Sequence, residues 1–132
     1  MEFARDTKTR GAGRTVLVVD DNAAIRKMLA SAFLSDGFEF CIEAENGKEG
    51  IEAARQRKID LIILDLSMPV MNGLQAAPEL RMLLPHTPII LFTLYADSLP
   101  HKDTAAAGVT IVLAKGTPLL LIVEKAHELM RN

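Results

Sequence analysis

Apolar residues in this chain follow two rhythms. Val16-Leu17-Val18-Val19, Leu61-Ile62-Ile63-Leu64, Ile89-Ile90-Leu91-Phe92 and Ile111-Val112-Leu113-Ala114 are unbroken runs of β-branched residues and leucine. Short runs of this kind read as strands of a parallel sheet covered on both faces. Phe38 to Ala44 reads as a further strand. Between the runs the spacing becomes helical: Ile25, Met28, Leu29, Ala32 and Phe33, then Ile51 and Ala54 within residues 47–58, and finally Leu119, Ile122, Val123, Ala126 and Met130. Residues 74–84 predict a helix that must accommodate Pro78, and residues 98–107 a short alanine-rich one with Pro100 in its first turn and few large apolar anchors. Gly37, Asn46-Gly47, Asn72-Gly73, Pro85, Pro88 and Gly108 punctuate these elements. Thr117-Pro118 supplies a cap residue and a first-turn proline for the last helix. The result is five alternating strand and helix units over residues 14–132, an α/β fold with helices on both faces of a parallel sheet. Residues 1–13 are polar and without period, and are expected to form a disordered tail that could include vector-derived sequence.

The residues that end the strands carry the candidate chemistry. The first run stops at Asp20-Asp21, the third strand at Asp65, the fourth at Thr93 and the fifth at Lys115. Parallel strands place all their carboxyl ends on one edge, where open α/β sheets bind ligands. Three carboxylates, a hydroxyl and an ammonium are therefore expected in one cleft. Three adjacent carboxylates repel unless they share protons or gather a cation, and an oxygen-only donor set selects a hard ion such as Mg²⁺. Such an ion would let a carboxylate attack a phosphoryl group by neutralising charge on the incoming oxygens. Lys115 suits a phosphate oxygen or a carboxylate, and Thr93 offers a hydroxyl to another oxygen.

Composition narrows the function classes. Hydrophobic residues make up 49% of the 132 and aromatic residues 5%, with no Trp, which points to an aliphatic core and away from disorder and aromatic nucleic-acid platforms. The formal charge is −2, and Arg5, Lys8, Arg10 and Arg14 cluster at the start, so the remainder is more acidic than that figure. Direct binding of nucleic acid or of an anionic membrane is not expected. The single cysteine, Cys41, reads as a buried thiol. No apolar run is long enough for a membrane span and no signal-peptide pattern opens the chain, so a cytoplasmic location is expected.

Asp20-Asp21, the segment Asp65-Leu66-Ser67-Met68-Pro69-Val70-Met71-Asn72-Gly73, Thr93 and Lys115 together resemble the receiver domain of two-component response regulators, over residues 14–131. The resemblance implies a flavodoxin-like fold with strand order 2-1-3-4-5. It also implies that Asp65 accepts a phosphoryl group from a phosphohistidine of a sensor histidine kinase or histidine phosphotransfer protein. In the same reading Asp21, Asp65 and the backbone carbonyl of Ser67 bind Mg²⁺, Asp20 assists through water, Lys115 pairs with the phosphoryl group, and Thr93 is the switch. The phosphorylated state would act on a downstream protein or a linked output domain through the fourth helix, fifth strand and last helix, so the chain is expected to be a switch rather than a turnover enzyme. A stand-alone receiver and a piece of a longer regulator both remain open.

Three positions depart from the resemblance. Val112 stands where the family has an aromatic residue, which puts aromatic switching in doubt and leaves Tyr95 as a substitute or a shield. Gly116 stands where many relatives have a proline joined by a cis bond. Asn72 replaces the commoner acid of its loop, and Met68-Pro69 is expected to shape that loop.

Other readings fit less well. A phosphatase of the haloacid-dehalogenase type needs an acid two residues after its nucleophile, and that position is Ser67. A flavin or nucleotide carrier needs a phosphate loop after the first strand, where Asp20-Asp21 would repel phosphate. His86, His101 and His127 are expected to be exposed, and no serine elbow motif is present.

Overall fold

The computed structural model describes residues 13–131. Apart from Gly13, the expected tail of residues 1–13 lies outside the described residues. Five parallel strands, β1 (Thr15–Val19), β2 (Phe40–Ala44), β3 (Leu61–Leu64), β4 (Ile89–Thr93) and β5 (Ile111–Ala114), form one sheet in the order β2-β1-β3-β4-β5. The helices are α1 (Ala23–Ser35), α2 (Gly47–Gln56), α3 (Gly73–Leu83), α4 (His101–Ala106) and α5 (Leu119–Met130), with a short 3-10 turn at Ala96–Ser98. This is the flavodoxin-like strand order that the resemblance implied, built on the parallel α/β sheet expected from the strand pattern.

Alternation along each strand sorts the core into two layers, because successive side chains leave a strand on opposite faces. Leu17, Val19, Ile62, Leu64, Ile89 and Leu91 pack toward Ile51 and Ala54 of α2 and Ala76, Ala77 and Leu80 of α3. Val16, Val18, Leu61, Ile63, Ile90 and Phe92 pack toward Leu29 and Phe33 of α1 and Ile122, Val123 and Ala126 of α5. The three central strands are buried throughout, whereas β2 and β5 are partly open as edge strands.

Local differences from the sequence expectation have physical causes. The second strand begins at Phe40 rather than Phe38, because Phe38 turns inward to stack edge-on against Phe33 with ring centroids 5.0 Å apart. Helix α2 ends at Gln56, short of the expected Lys58. Pro78 lies inside α3 on its exposed side, and the helix continues past it. Pro118, not Thr117, occupies the cap position of α5, and no side chain caps that end. His127 is buried, contrary to the expectation of exposure. It shares the inward face of α5 with Val123 and Ala126, and its ring Nε2 pairs with the Asp36 carboxylate beyond α1.

Candidate phosphoryl and cation site

The sheet register brings the strand ends together. Backbone bonds from Asp20 N to Ala44 O (3.0 Å), Asp65 N to Val19 O (2.9 Å) and Lys115 N to Thr93 O (3.0 Å) carry the ladder one residue past each strand end. Each polar residue therefore emerges at the same edge, Asp20, Asp65 and Thr93 from buried central strands and Lys115 from the partly open β5. Asp20 and Asp65 are almost fully buried, at 2% and 4% exposure, and Thr93 is completely so, while Asp21 projects outward. One oxygen from each of Asp20, Asp21 and Asp65 lies within 4.8 Å of the others.

Lys115 closes this group from β5. Its Nζ lies 2.9 Å from Asp20 Oδ2 and 3.4 Å from Asp65 Oδ1, with little of the side chain exposed. Burial and the charge of Asp20 push the Asp65 carboxyl up to about 6, against the opposing pull of Lys115 and a hydrogen bond from the Ser67 backbone. Burial works against the Lys115 ammonium, but the hydrogen bond and charge of Asp20, reinforced by Asp65, outweigh it and raise its pKa. One ammonium thus faces two buried carboxylates and a third nearby, so the cluster keeps negative charge that a cation can neutralise. Carboxylates with room for water suit a hard divalent ion such as Mg²⁺.

The cleft above the cluster is a cavity of about 330 Å³ lined by Asp21, Asn22, Ile25, Asp65, Ser67, Thr93, Leu94, Tyr95 and Lys115. Every residue expected at the site from the sequence is on this list of walls or, for Asp20, hydrogen-bonded to one of them. Thr93 Oγ1 accepts from Tyr95 N at 3.1 Å, which leaves its proton available to an oxygen in the cleft. Tyr95 is 52% exposed at the rim. Lys115-Gly116 is trans, since no cis peptide occurs among the described residues.

The loop after Asp65 is held tightly. Met71 N donates to Pro69 O at 2.7 Å around Val70, whose φ of 70° is rare for a β-branched residue, so this tight turn is strained. Asn72 then caps α3: its side chain accepts from Gln75 N and the Gln75 side chain accepts from Asn72 N, each at 2.9 Å. Gly73 follows because nothing larger fits. A Cβ there would lie 2.3 Å from the carbonyl oxygen of Asp65.

Sequence reasoning missed two arginines that shape this architecture. Arg26 Nη1 donates to the carbonyl of Asp20 at 2.8 Å, and Arg26 Nε to Glu43 at 3.0 Å. Arg81, at the opposite edge of the sheet, donates to the carbonyls of Gly108, Leu84 and Thr87. Neither arginine interrupts a hydrophobic period, so nothing in the pattern marks them. The Asn72-x-x-Gln75 spacing, by contrast, is a readable capping-box signal.

Comparison with known proteins settles the family. Residues 16–127 match the response regulator receiver domain. This chain belongs to that family. The receiver domain is 30% identical over 119 residues to the chemotaxis protein CheY of Thermotoga maritima, covering 90% of this chain and 99% of that one. It is 34% identical over 118 residues to the regulatory protein AtoC of Escherichia coli, but spans only 25% of AtoC. Among solved structures, Vibrio cholerae CheY4 aligns with a TM-score of 0.80 at 30% identity, over 89% of this chain and 99% of its own. Thermotoga maritima response regulator protein TrrA, solved in complex with Mg²⁺-BeF, aligns at 0.78 and 30% identity, over 88% and 98%. Receiver domains are signalling domains of two-component systems, and no helix among the described residues is long and apolar enough to cross a membrane.

Proposed function

We propose that Asp65 is the phosphoacceptor of a signalling switch and takes its phosphoryl group from a phosphohistidine of a sensor histidine kinase or histidine phosphotransfer protein. The observation that carries this reading is the buried Asp65 carboxylate with Asp20 and Asp21 beside it and Lys115 Nζ across two of the three. Mg²⁺ held by Asp20, Asp21, Asp65 and the Ser67 carbonyl would supply charge neutralisation to the phosphoryl oxygens. An Asp65 carboxylate oxygen bonds to phosphorus while the nitrogen–phosphorus bond of the donor breaks, and the departing imidazole takes up a proton from water. Lys115 is free to pass one of its donors from Asp65 to a phosphoryl oxygen, because Asp20 holds it from the other side at 2.9 Å. Thr93 turns its remaining donor toward the same group and carries the change to α4, β5 and α5, the face offered to a downstream protein or a linked output domain.

Intact mass measurement after incubation with Mg²⁺ and acetyl phosphate tests the proposal. The wild type is expected to gain one phosphoryl group that hydrolyses with time, and Asp65→Asn none. Equal labelling of both proteins, or steady consumption of the donor with no adduct on the wild type, would refute it.

A further inference from the structure

Asp20 is held by all four of its polar atoms. Its backbone N donates to Ala44 O (3.0 Å), Oδ1 accepts from Asn22 N (2.9 Å), Oδ2 accepts from Lys115 (2.9 Å), and the carbonyl accepts from Arg26 Nη1 (2.8 Å). The last of these bonds matters beyond Asp20 itself. The peptide unit joining Asp20 to Asp21 is planar, so an anchored carbonyl oxygen also fixes the nitrogen and Cα of Asp21. Asp21 projects into the cleft from that point, and its carboxylate is one of the three that converge.

Arg26 is itself oriented from two sides. It stands one turn into α1, a helix whose start is set by Asn22 accepting from Ile25 N at 3.1 Å. Its Nε is held at 3.0 Å by Glu43 of β2, which also pairs with Lys27 at 3.1 Å, and the Arg26 side chain is only 12% exposed. A planar guanidinium can meet a carboxylate and a carbonyl at once in a fixed fork, which a lysine cannot do. Charge alone would make this arginine unfavourable, since a cation beside a cation site repels the incoming ion.

We infer that Arg26 is a positioning residue for the divalent cation site: by gripping the Asp20 carbonyl between α1 and β2, it sets the peptide plane that places Asp21. The inference rests on the cation-binding reading of the three carboxylates. The two roles open to Arg26 have opposite signs. Removing a positioning residue weakens Mg²⁺ binding, whereas removing only a repelling charge strengthens it.

Calorimetric titration of Mg²⁺ into the unphosphorylated protein separates them. Arg26→Met is expected to bind Mg²⁺ about tenfold more weakly than the wild type, as is usual when an outer partner of a metal ligand is lost. Arg26→Lys, which can hold one of the two acceptors, should fall between. Arg81→Met, which removes a comparable guanidinium at the far edge of the sheet, should lower the melting temperature and leave Mg²⁺ affinity unchanged. Unchanged or tighter Mg²⁺ binding in Arg26→Met overturns the inference, and so does an equal loss of affinity in Arg81→Met. If Arg26→Met does not fold, Arg26→Lys decides by the same criterion. A wild type that binds no Mg²⁺ defeats the cation-site reading itself, which is a distinct outcome.

Discussion

At position 65 a carboxylate sits where the fold disfavours its charge. Burial and the neighbouring Asp20 raise its pKa from 3.8 to about 6, so the fold favours the protonated form. The linkage follows from that direction. Stability contributed by the neutral carboxyl is present below the unfolded pKa and is lost as the pH rises through the folded one. Near pH 7.5, without divalent ions, the ionised Asp65 costs roughly 1–3 kcal/mol. Asp65→Asn should therefore melt several degrees above the wild type in EDTA, with the gap closing below about pH 4 and narrowing when Mg²⁺ stabilises the wild type. Equal melting temperatures in EDTA at pH 7.5 would show that Lys115 compensates fully. Cys41 illustrates the same physics without the function. Burial, aided by Glu43, pushes its thiol up to about 11, although Cys41 is only half-buried on the edge strand β2, short of the full burial expected from the sequence.

Helix α3 shows how an element can be legible while its purpose is not. Its extent was readable from residues 74–84, and Asn72-Gly73 was readable as punctuation. The reason for glycine was not, because it depends on the close approach of the Asp65 carbonyl at the end of β3. Gly73 brings the start of α3 against the carbonyl of Asp65, with Leu91 Cδ1 at 3.0 Å from any added Cβ. Gly73→Ala gains helix propensity but must displace that backbone, so a net loss of about 1–3 kcal/mol is expected, together with slower phosphoryl uptake at Asp65. Urea unfolding and the rate of adduct formation check the two effects, and wild-type values for both would mean that the loop yields freely. Helix α5 teaches a related lesson. A histidine within a helical period reads as exposed when its neighbours alone are considered, yet His127 falls on the buried face because Asp36 waits there to pair with it.

Across the whole molecule, anchoring is uneven in a way that suits a switch. The strands β1, β3 and β4 are buried from end to end, and large apolar groups from four of the helices cover them. Helix α4 contributes one buried residue, Thr104, and is entered through the exposed Leu94 and Tyr95. Elements held by so few apolar contacts open at low free-energy cost. Thr93, buried at the end of β4, stands between the proposed phosphoryl site and this loosely held segment. In Thr93→Ala the Asp65 adduct should form at wild-type yield, while the change in hydrogen exchange over residues 94–107 on phosphorylation is lost. Persistence of that change in the variant would remove Thr93 as the coupling residue, and would turn attention to Tyr95 at the rim.

By itself the sequence determined the parallel α/β architecture, the strand order through its resemblance, and the set of strand-end residues at the carboxyl edge. The architecture and the strand-end set follow from local periodicity and from the rule that parallel strands end together, whereas the order of the strands came only with the resemblance. Tertiary structure alone decided the spacing of the three carboxylates, the bridging of two of them by Lys115, the burial of His127, and the grip of Arg26 on the peptide before Asp21. Each of these is a meeting of polar groups from separate elements. Hydrogen bonds of that kind leave no period in the chain, because their partners are fixed by sheet register and helix packing rather than by spacing along it.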